Sequence, residues 1–284
     1  MRNLLSAGFY RLWRCKALWL ACLVLAAMDA TAMWTRYNDR IELGVVNYID
    51  GGFFCYVVLI GILAAVVSTL LLGTEYSDGT LRNKVTVGCK RRDIYLANLV
   101  VCSVASLIMC AAAIVSGLCL GLPLLGGFHM GVPRAILFIT GTLALALGFT
   151  AIFTLLAMLV TNRAVSAVAA ILLALTLMAV GVYVDSRLQA GPTIDGLVIH
   201  TTDDAGNIDW DNTVVEKEPN PLYIPEGPMR TFFDFLHDFT PGGQMMQYAA
   251  VSPKRPEVMI FYNVAIIALT TAIGLFLFKR KDLR

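Results

Sequence analysis

The stretch Gly73 to Asp93, GTEYSDGTLRNKVTVGCKRRD, gathers most of the polar groups in this chain that could do chemistry. Ser77, Asp78 and Gly79 are residues that begin helices, so Thr80 to Val85 is expected to form a short helix ending near Gly88. Asp93 follows as the expected cap of the next helix, placing a carboxylate on that helix's positive end. Lys90, Arg91 and Arg92 form a basic triplet of the kind that anchors a membrane protein on its cytoplasmic side. None of these groups makes a reaction centre, and no catalytic residue is expected. The chain has no glycine-rich loop to cradle phosphates, no H-E-x-x-H and no G-x-S-x-G. Its histidines, His129, His200 and His237, are scattered. The seven cysteines, Cys15, Cys22, Cys55, Cys89, Cys102, Cys110 and Cys119, lack paired C-x-x-C spacing, which argues against zinc and iron–sulfur sites. One further ionisable group, Asp29, lies inside an apolar run; it either takes a partner such as Arg36 or faces a substrate cavity.

The elements that position these groups are membrane helices. Of 284 residues, 58% are hydrophobic and 15% charged, and mean hydropathy is +0.71. Soluble chains run nearer about 45 to 50% apolar and 25% charged. Crossing about 30 Å of hydrocarbon takes roughly 20 apolar residues in a helix. Six runs qualify: Ala17 to Trp34, Phe53 to Leu72, Ile94 to Leu122, Ala135 to Val160, Val165 to Val184 and Val258 to Phe278. They are continuous rather than alternating, which excludes a barrel. With the N-terminus inside, the cytoplasmic pieces hold 14 Lys and Arg against four acids. Both ends are therefore expected in the cytoplasm. The apolar start is expected to be retained rather than cleaved as a leader, because its basic region is long and patterned and cleavage would invert the charge.

Residues 1–16 alternate Leu4, Leu5, Gly8, Phe9, Leu12 and Trp13 with Arg2, Asn3, Ser6, Arg11 and Arg14, the pattern of an interfacial amphipathic helix. Residues 17–184 then carry spans one to five, with the loop 73–93 between the second and third. Gly117 and Gly121, and Ala144 and Gly148, have the spacing that lets helices approach closely. Residues 185–257 form an outer segment with five basic and twelve acidic residues. There, Thr193 to Thr201 and Ile208 to Val215 flank Asp203-Asp204-Ala205-Gly206-Asn207 and predict a β-hairpin. The spacing of its acids does not match a calcium loop. Phe232, Phe233, Phe235, Leu236 and Phe239 predict an apolar helix face before Pro241-Gly242-Gly243, and Gln244 to Val251 a second short helix. The two, spanning 229–251, are expected to be re-entrant or interfacial in the outer leaflet. Residues 258–284 complete span six and a cytoplasmic tail.

The loop Glu75-Tyr76-Ser77-Asp78-Gly79-Thr80-Leu81-Arg82-Asn83, continued by Gly88 to Leu96, resembles the signature of bacterial ABC transporter permeases of the type-2 exporter class. The stretch Asn220-Pro221-Leu222-Tyr223 through Pro241-Gly242-Gly243-Gln244 is similar to the segment before the last span in many Gram-positive members. Asn98 and Lys90 depart from the family pattern, which often has Lys and a small residue there. The resemblance implies an all-α transmembrane six-helix permease with an N-terminal elbow helix, a cytoplasmic coupling helix and a small α+β extracellular domain. It implies ATPase coupling through Glu75, Gly79, Thr80, Leu81, Arg82 and Arg91, with Glu75 and Arg82 bracing or touching the motor and Thr80 and Leu81 entering a groove on it. Asp29, Phe232, Phe235 and Phe239 are candidates for the pathway or outer gate. The implied partners are ABC ATPase subunits, a second permease copy or a related permease, membrane lipid and an amphipathic substrate such as an antimicrobial peptide, lipid or drug; no nucleic acid is expected. No cofactor is expected on this chain, ATP and Mg sitting on the partner ATPase, and the location implied is the bacterial plasma membrane. A rival reading is a non-transporting sensor or immunity protein that binds a cationic peptide outside. A secondary transporter would want more intramembrane ionisable groups than Asp29.

Overall fold

The computed structural model describes residues 1–202 and 208–281, with side chains outside 197–216. The expected hairpin tip, 203–207, and residues 282–284 lie outside the described residues. In chain order the elements are α1 (Arg2–Trp13), α2 (Lys16–Glu42), α3 (Asp50–Phe53), α4 (Val57–Ser77), α5 (Thr80–Thr86), α6 (Arg91–Leu125), α7 (Val132–Leu159), α8 (Arg163–Gln189), β1 (Thr193–Thr202), β2 (Ile208–Pro219), α9 (Pro228–Phe239), α10 (Pro241–Ala249) and α11 (Pro256–Arg280). Six helical segments are long and apolar enough to cross a membrane: α2, α4 with the short α3 before it, α6, α7, α8 and α11. The even number brings α1, α5, the α7–α8 turn and the last turn of α11 to one end of the bundle, the α5 end. The hairpin, α9 and α10 stand at the other, the hairpin end.

Helix boundaries follow the breakers. α2 continues past Trp34 to Glu42 because nothing interrupts it before Gly44, whose φ of +64° suits glycine. α6 likewise runs through Pro123 to Leu125 and stops at Gly126, φ +86°. Two expected caps are corrected. Asp93 sits in the first turn of α6 behind Lys90, which holds the cap position with no side-chain bond. Ser77 ends α4 and Asp78 follows it, so α5 starts at Gly79 without a side-chain cap. Left-handed backbone at Gly79, φ +66°, turns the chain instead.

Between lipid-facing helices there is little hydrophobic gain, since lipid is as apolar as leucine, and close packing must hold the bundle. Small residues supply it. Gly117 and Gly121 of α6 let Phe53 and Ile49 press against the helix, as their spacing predicts. Gly148 of α7 takes Asn263 of α11, and Gly61 of α4 lies under the ring of Phe149. α4 and α7 form the most buried pair of spans, while α11 and α8 leave most of their surface outward. The hairpin pairs antiparallel, Thr193 opposite Pro219 and Ile199 opposite Val214, with two register irregularities.

The two short helices form where the phenylalanine run and Pro241 place them, and α10 is enclosed by other helices. Pro241 to Met245, Gln247 and Tyr248 are all buried. α10 packs against α8 and α7, with Gly242 backbone directly on Gly181 of α8, an approach that only two glycines allow. Amphipathic α9 keeps the outward place, with Phe232 and Phe235 exposed.

Candidate functional site

At the α5 end the polar groups converge on Glu75. It lies in the last turn of α4, where aligned peptide dipoles disfavour a carboxylate, and it is fully buried. Three donors offset this. Arg11 of α1 donates through Nη2 and Lys84 of α5 through Nζ (2.6 Å), both to Oε1; Asn98 of α6 donates Nδ2–H to Oε2 at 3.1 Å. One carboxylate thus ties four helices together. Thr80 Oγ1 also donates to the Glu75 carbonyl (3.2 Å), holding the first turn of α5 against the end of α4.

This geometry sorts the residues singled out in the sequence. Glu75 is a brace, Gly79 the turn and Thr80 a tether. Leu81 does not project outward: at 1% exposure it belongs to the core, because the first turn of α5 lies flat on the bundle. The outward face of α5 is Arg82, Asn83 and Thr86, followed by Val87 at 84% exposure. A recess of about 280 Å³, lined by Tyr76, Gly79, Leu81, Arg82 and Thr161 among others, opens beside it. Arg91 is also turned inward. Its Nη1 donates to the carbonyls of Phe278 (3.4 Å), Lys279 (3.3 Å) and Lys281, capping the C-terminus of α11 with a cation.

A second cation does the same for α7. Lys281 Nζ donates to the Met158 carbonyl and to Tyr76 Oη, both at 2.8 Å, and Tyr76 donates to the same carbonyl at 2.5 Å. Burial pushes the Lys281 ammonium down to about 8. Arg11 stood in the sequence only as one of the polar residues of the helix 1–16, and Lys84 and Lys281 were not singled out. Nothing in their spacing points at Glu75. Asn98, a lone amide inside a span, did carry a signal, since such a group needs a buried partner.

At the hairpin end, Asp29 and the phenylalanines stand apart. Asp29 is fully buried among α2, α4 and α6; its Oδ1 accepts the Tyr56 N–H at 3.1 Å and its Oδ2 has no hydrogen-bond partner. The expected partner Arg36 goes elsewhere. It sits two turns further along α2 and donates to the Gly51 carbonyl at 2.9 Å, where the missing Cβ leaves room. Phe235 and Phe239 stack with centroids 5.4 Å apart and close on Tyr262 of α11 at 6.0 and 5.5 Å, while Phe232 on the same helix meets Phe233 edge-on at 6.3 Å. Behind them, Asp238 Oδ2 accepts from Arg255 (2.8 Å) and Oδ1 from Gln247 (3.1 Å), while Gln244 bridges the Asp238 carbonyl and Asn263 of α11. His237 Nε2 lies 3.2 Å from Asp185 Oδ1, a pair charged only when the imidazole is protonated. Burial pushes that imidazole down, against the pull of the neighbouring carboxylates Asp185, Asp238 and Asp234.

Among the described residues no cluster of His, Cys, Asp and Glu is placed to hold a metal ion; the arrangement offers a short anchored helix with an exposed face at one end and an aromatic, charge-rimmed face at the other. A family model described as ABC-2 family transporter protein matches residues 4–181, more than half of the chain, from α1 into α8. No curated protein matches the chain.

Proposed function

The chain belongs to the ABC-2 transporter family, a permease of an ABC transporter with several membrane-spanning helices, and from that premise we propose that it is the membrane subunit of an ATP-driven exporter of amphipathic molecules. The observation that carries the coupling reading is α5. Seven residues long, it is too short to be stable alone. Buried Glu75 and Leu81 fix it to the bundle while Arg82, Asn83, Thr86 and Val87 face outward. A motor that displaces such a helix moves α4 and α6 with it, and through Arg11 also α1. α1 and α5 are therefore read as the elbow and coupling helices, with the α5 end and both termini in the cytoplasm of a bacterial cell. ATP and Mg belong to a separate ATPase chain. The contact with that ATPase shifts from Leu81 to the exposed residues.

At the opposite end, the aromatic face of α9 supports an amphipathic substrate, since Phe232, Phe235 and Phe239 beside Tyr262 present rings where the outer leaflet would meet α11. Asp29, enclosed and half-partnered, is proposed to lie on the route only in a conformation that opens α2 from α6. A second permease copy or a related permease would complete the pathway.

The coupling reading is tested by copurification with the ATPase. Arg82→Glu combined with Val87→Asp should release the motor while the permease stays monodisperse with an unchanged unfolding curve, because both side chains are exposed. Undiminished ATPase binding by that variant would overturn the coupling role of α5. Leu81→Asp is a different experiment; it places a charge in the core and should damage the fold itself.

A further inference from the structure

A groove between α1 and α4 at the α5 end meets the Glu75 brace only through Arg11. Its volume is about 370 Å³, and Tyr10, Arg11, Arg14, Leu70, Leu71 and Thr74 line it. One wall is cationic. α1 and the residues joining it to α2 carry Arg2, Arg11, Arg14 and Lys16 and no acid. Glu75 offsets only one of Arg11 and Lys84. Arg14 is exposed, lies 4.3 Å over the ring of Tyr10 and makes no ion pair among the described residues. The opposite wall is hydrocarbon from Leu70 and Leu71, side chains of a membrane-spanning helix. Depth is marked by a pair of indoles at the α1–α2 junction. Trp13 and Trp19 are both exposed with ring centroids 5.6 Å apart, and Trp19 donates its N–H to the Trp13 carbonyl at 3.0 Å. Exposed tryptophans of this kind settle at the headgroup level.

We propose that this groove is a binding site for an anionic phospholipid, whose phosphodiester is held between Arg14 and the outward edge of Arg11 and whose acyl chain runs along Leu70 and Leu71. A guanidinium fork matches a phosphodiester in shape as well as charge. Free phosphate would satisfy the arginines but leave the leucine wall unused, so the ligand is the membrane's own. The inference needs the chain to sit in a membrane with α1 at its surface; it does not depend on α5 contacting a motor. A bound lipid would brace α1 from the side opposite Glu75.

The test uses the full chain in nanodiscs of phosphatidylcholine and phosphatidylglycerol in equal amounts, followed by release into mild detergent and native mass spectrometry of the lipid that stays bound. Wild type should retain phosphatidylglycerol preferentially, and Arg14→Gln should lower that retention about fivefold, the worth of one cation at a membrane surface. Leu70→Gln, on the other wall, should lower it too, so the outcome does not hang on one variant. Arg2→Gln removes the same charge from the far end of α1 and should retain lipid as wild type does. Equal retention by wild type, Arg14→Gln and Leu70→Gln would overturn the site. Equal loss in Arg2→Gln would reduce it to diffuse surface charge, and displacement of the lipid by millimolar inorganic phosphate would make it a plain anion site; either result refutes the proposal.

Discussion

The two ends of this bundle solve the same problem, holding polar groups beside a membrane, in opposite ways. At the α5 end one buried carboxylate collects donors from three other helices, and two cations, Arg91 and Lys281, close the C-termini of α11 and α7. Each group has one arrangement. At the hairpin end, Asp238, Gln244, Gln247, Arg255 and Asn263 pass hydrogen bonds along a line from α9 through α10 to α11, with an open aromatic face in front. The first design joins four helices through one carboxylate, so displacing any member would strain the rest. The second tolerates change at its surface, because α10 is fixed by backbone contact and α9 hangs on it. The family match takes in Glu75 with its donors Arg11, Lys84 and Asn98 and stops at residue 181, before the hairpin, α9, α10 and Lys281.

The contrast is broken most severely at Glu75. Glu75→Ala strands Lys84 and releases Arg11, and should destabilise the fold by about 3 kcal/mol, the lower part of the range for an unpaired buried charge because Arg11 can swing to solvent. Denaturant titration in detergent measures it, and limited proteolysis should cut first within α5. Gly242→Ala comes next. Its Cβ would strike the Leu177 carbonyl, and overpacking of α10 on α8 should cost about 2 kcal/mol, read in the same titration. Should Gly242→Ala prove harmless, α10 is not the fixed element that distinguishes the hairpin end. Arg91→Met removes a cationic helix cap and should cost about 1 kcal/mol, with loss of protection at the end of α11 in hydrogen exchange. Arg82→Glu with Val87→Asp should change stability by less than about 0.5 kcal/mol, so its effect on motor binding stands alone.

The smallest effect sharpens the contrast through pH. His237 titrates lower in the folded chain than its ordinary 6.5, so below that value the unfolded chain binds more protons and stability falls as pH falls through the window beneath 6.5. His237→Asn should flatten the unfolding profile there. An unchanged slope would mean that Asp185 and its neighbours offset the burial in full.

Much of the fold was legible in the sequence because lipid imposes strict rules on it. Continuous apolar runs and the Pro241 junction give the spans and short helices, although α2 continues past the expected Trp34 to Glu42 and α8 past Val184 to Gln189. The site was legible only as a segment. Thr80 to Val85 was visible as a helix, but which face it shows depends on how α5 lies on α4 and α6, a tertiary fact that put Leu81 inside and Arg82 outside. Glu75 was marked by its position, yet its partners Arg11 and Asn98 lie 64 residues before it and 23 after. α10 read from its composition as re-entrant or interfacial, with no sign of which helix it would pack on. A Gly-Gly pair meeting Gly181 across 61 residues cannot be inferred from either segment alone.

The bonds of Arg91 have a consequence for biosynthesis. Its acceptors on α11 lie 187 to 190 residues further along the chain, and Lys281 reaches back 123 residues to Met158. During translation, at about 5 to 20 residues per second, α6 and α7 therefore wait between about 6 and 40 seconds with these positions open. The clasp closes only when the sixth span has left the insertion machinery, so a chain that stalls between α8 and α11 displays an unfinished α5 end, a state that membrane proteases and chaperones could distinguish from the completed protein.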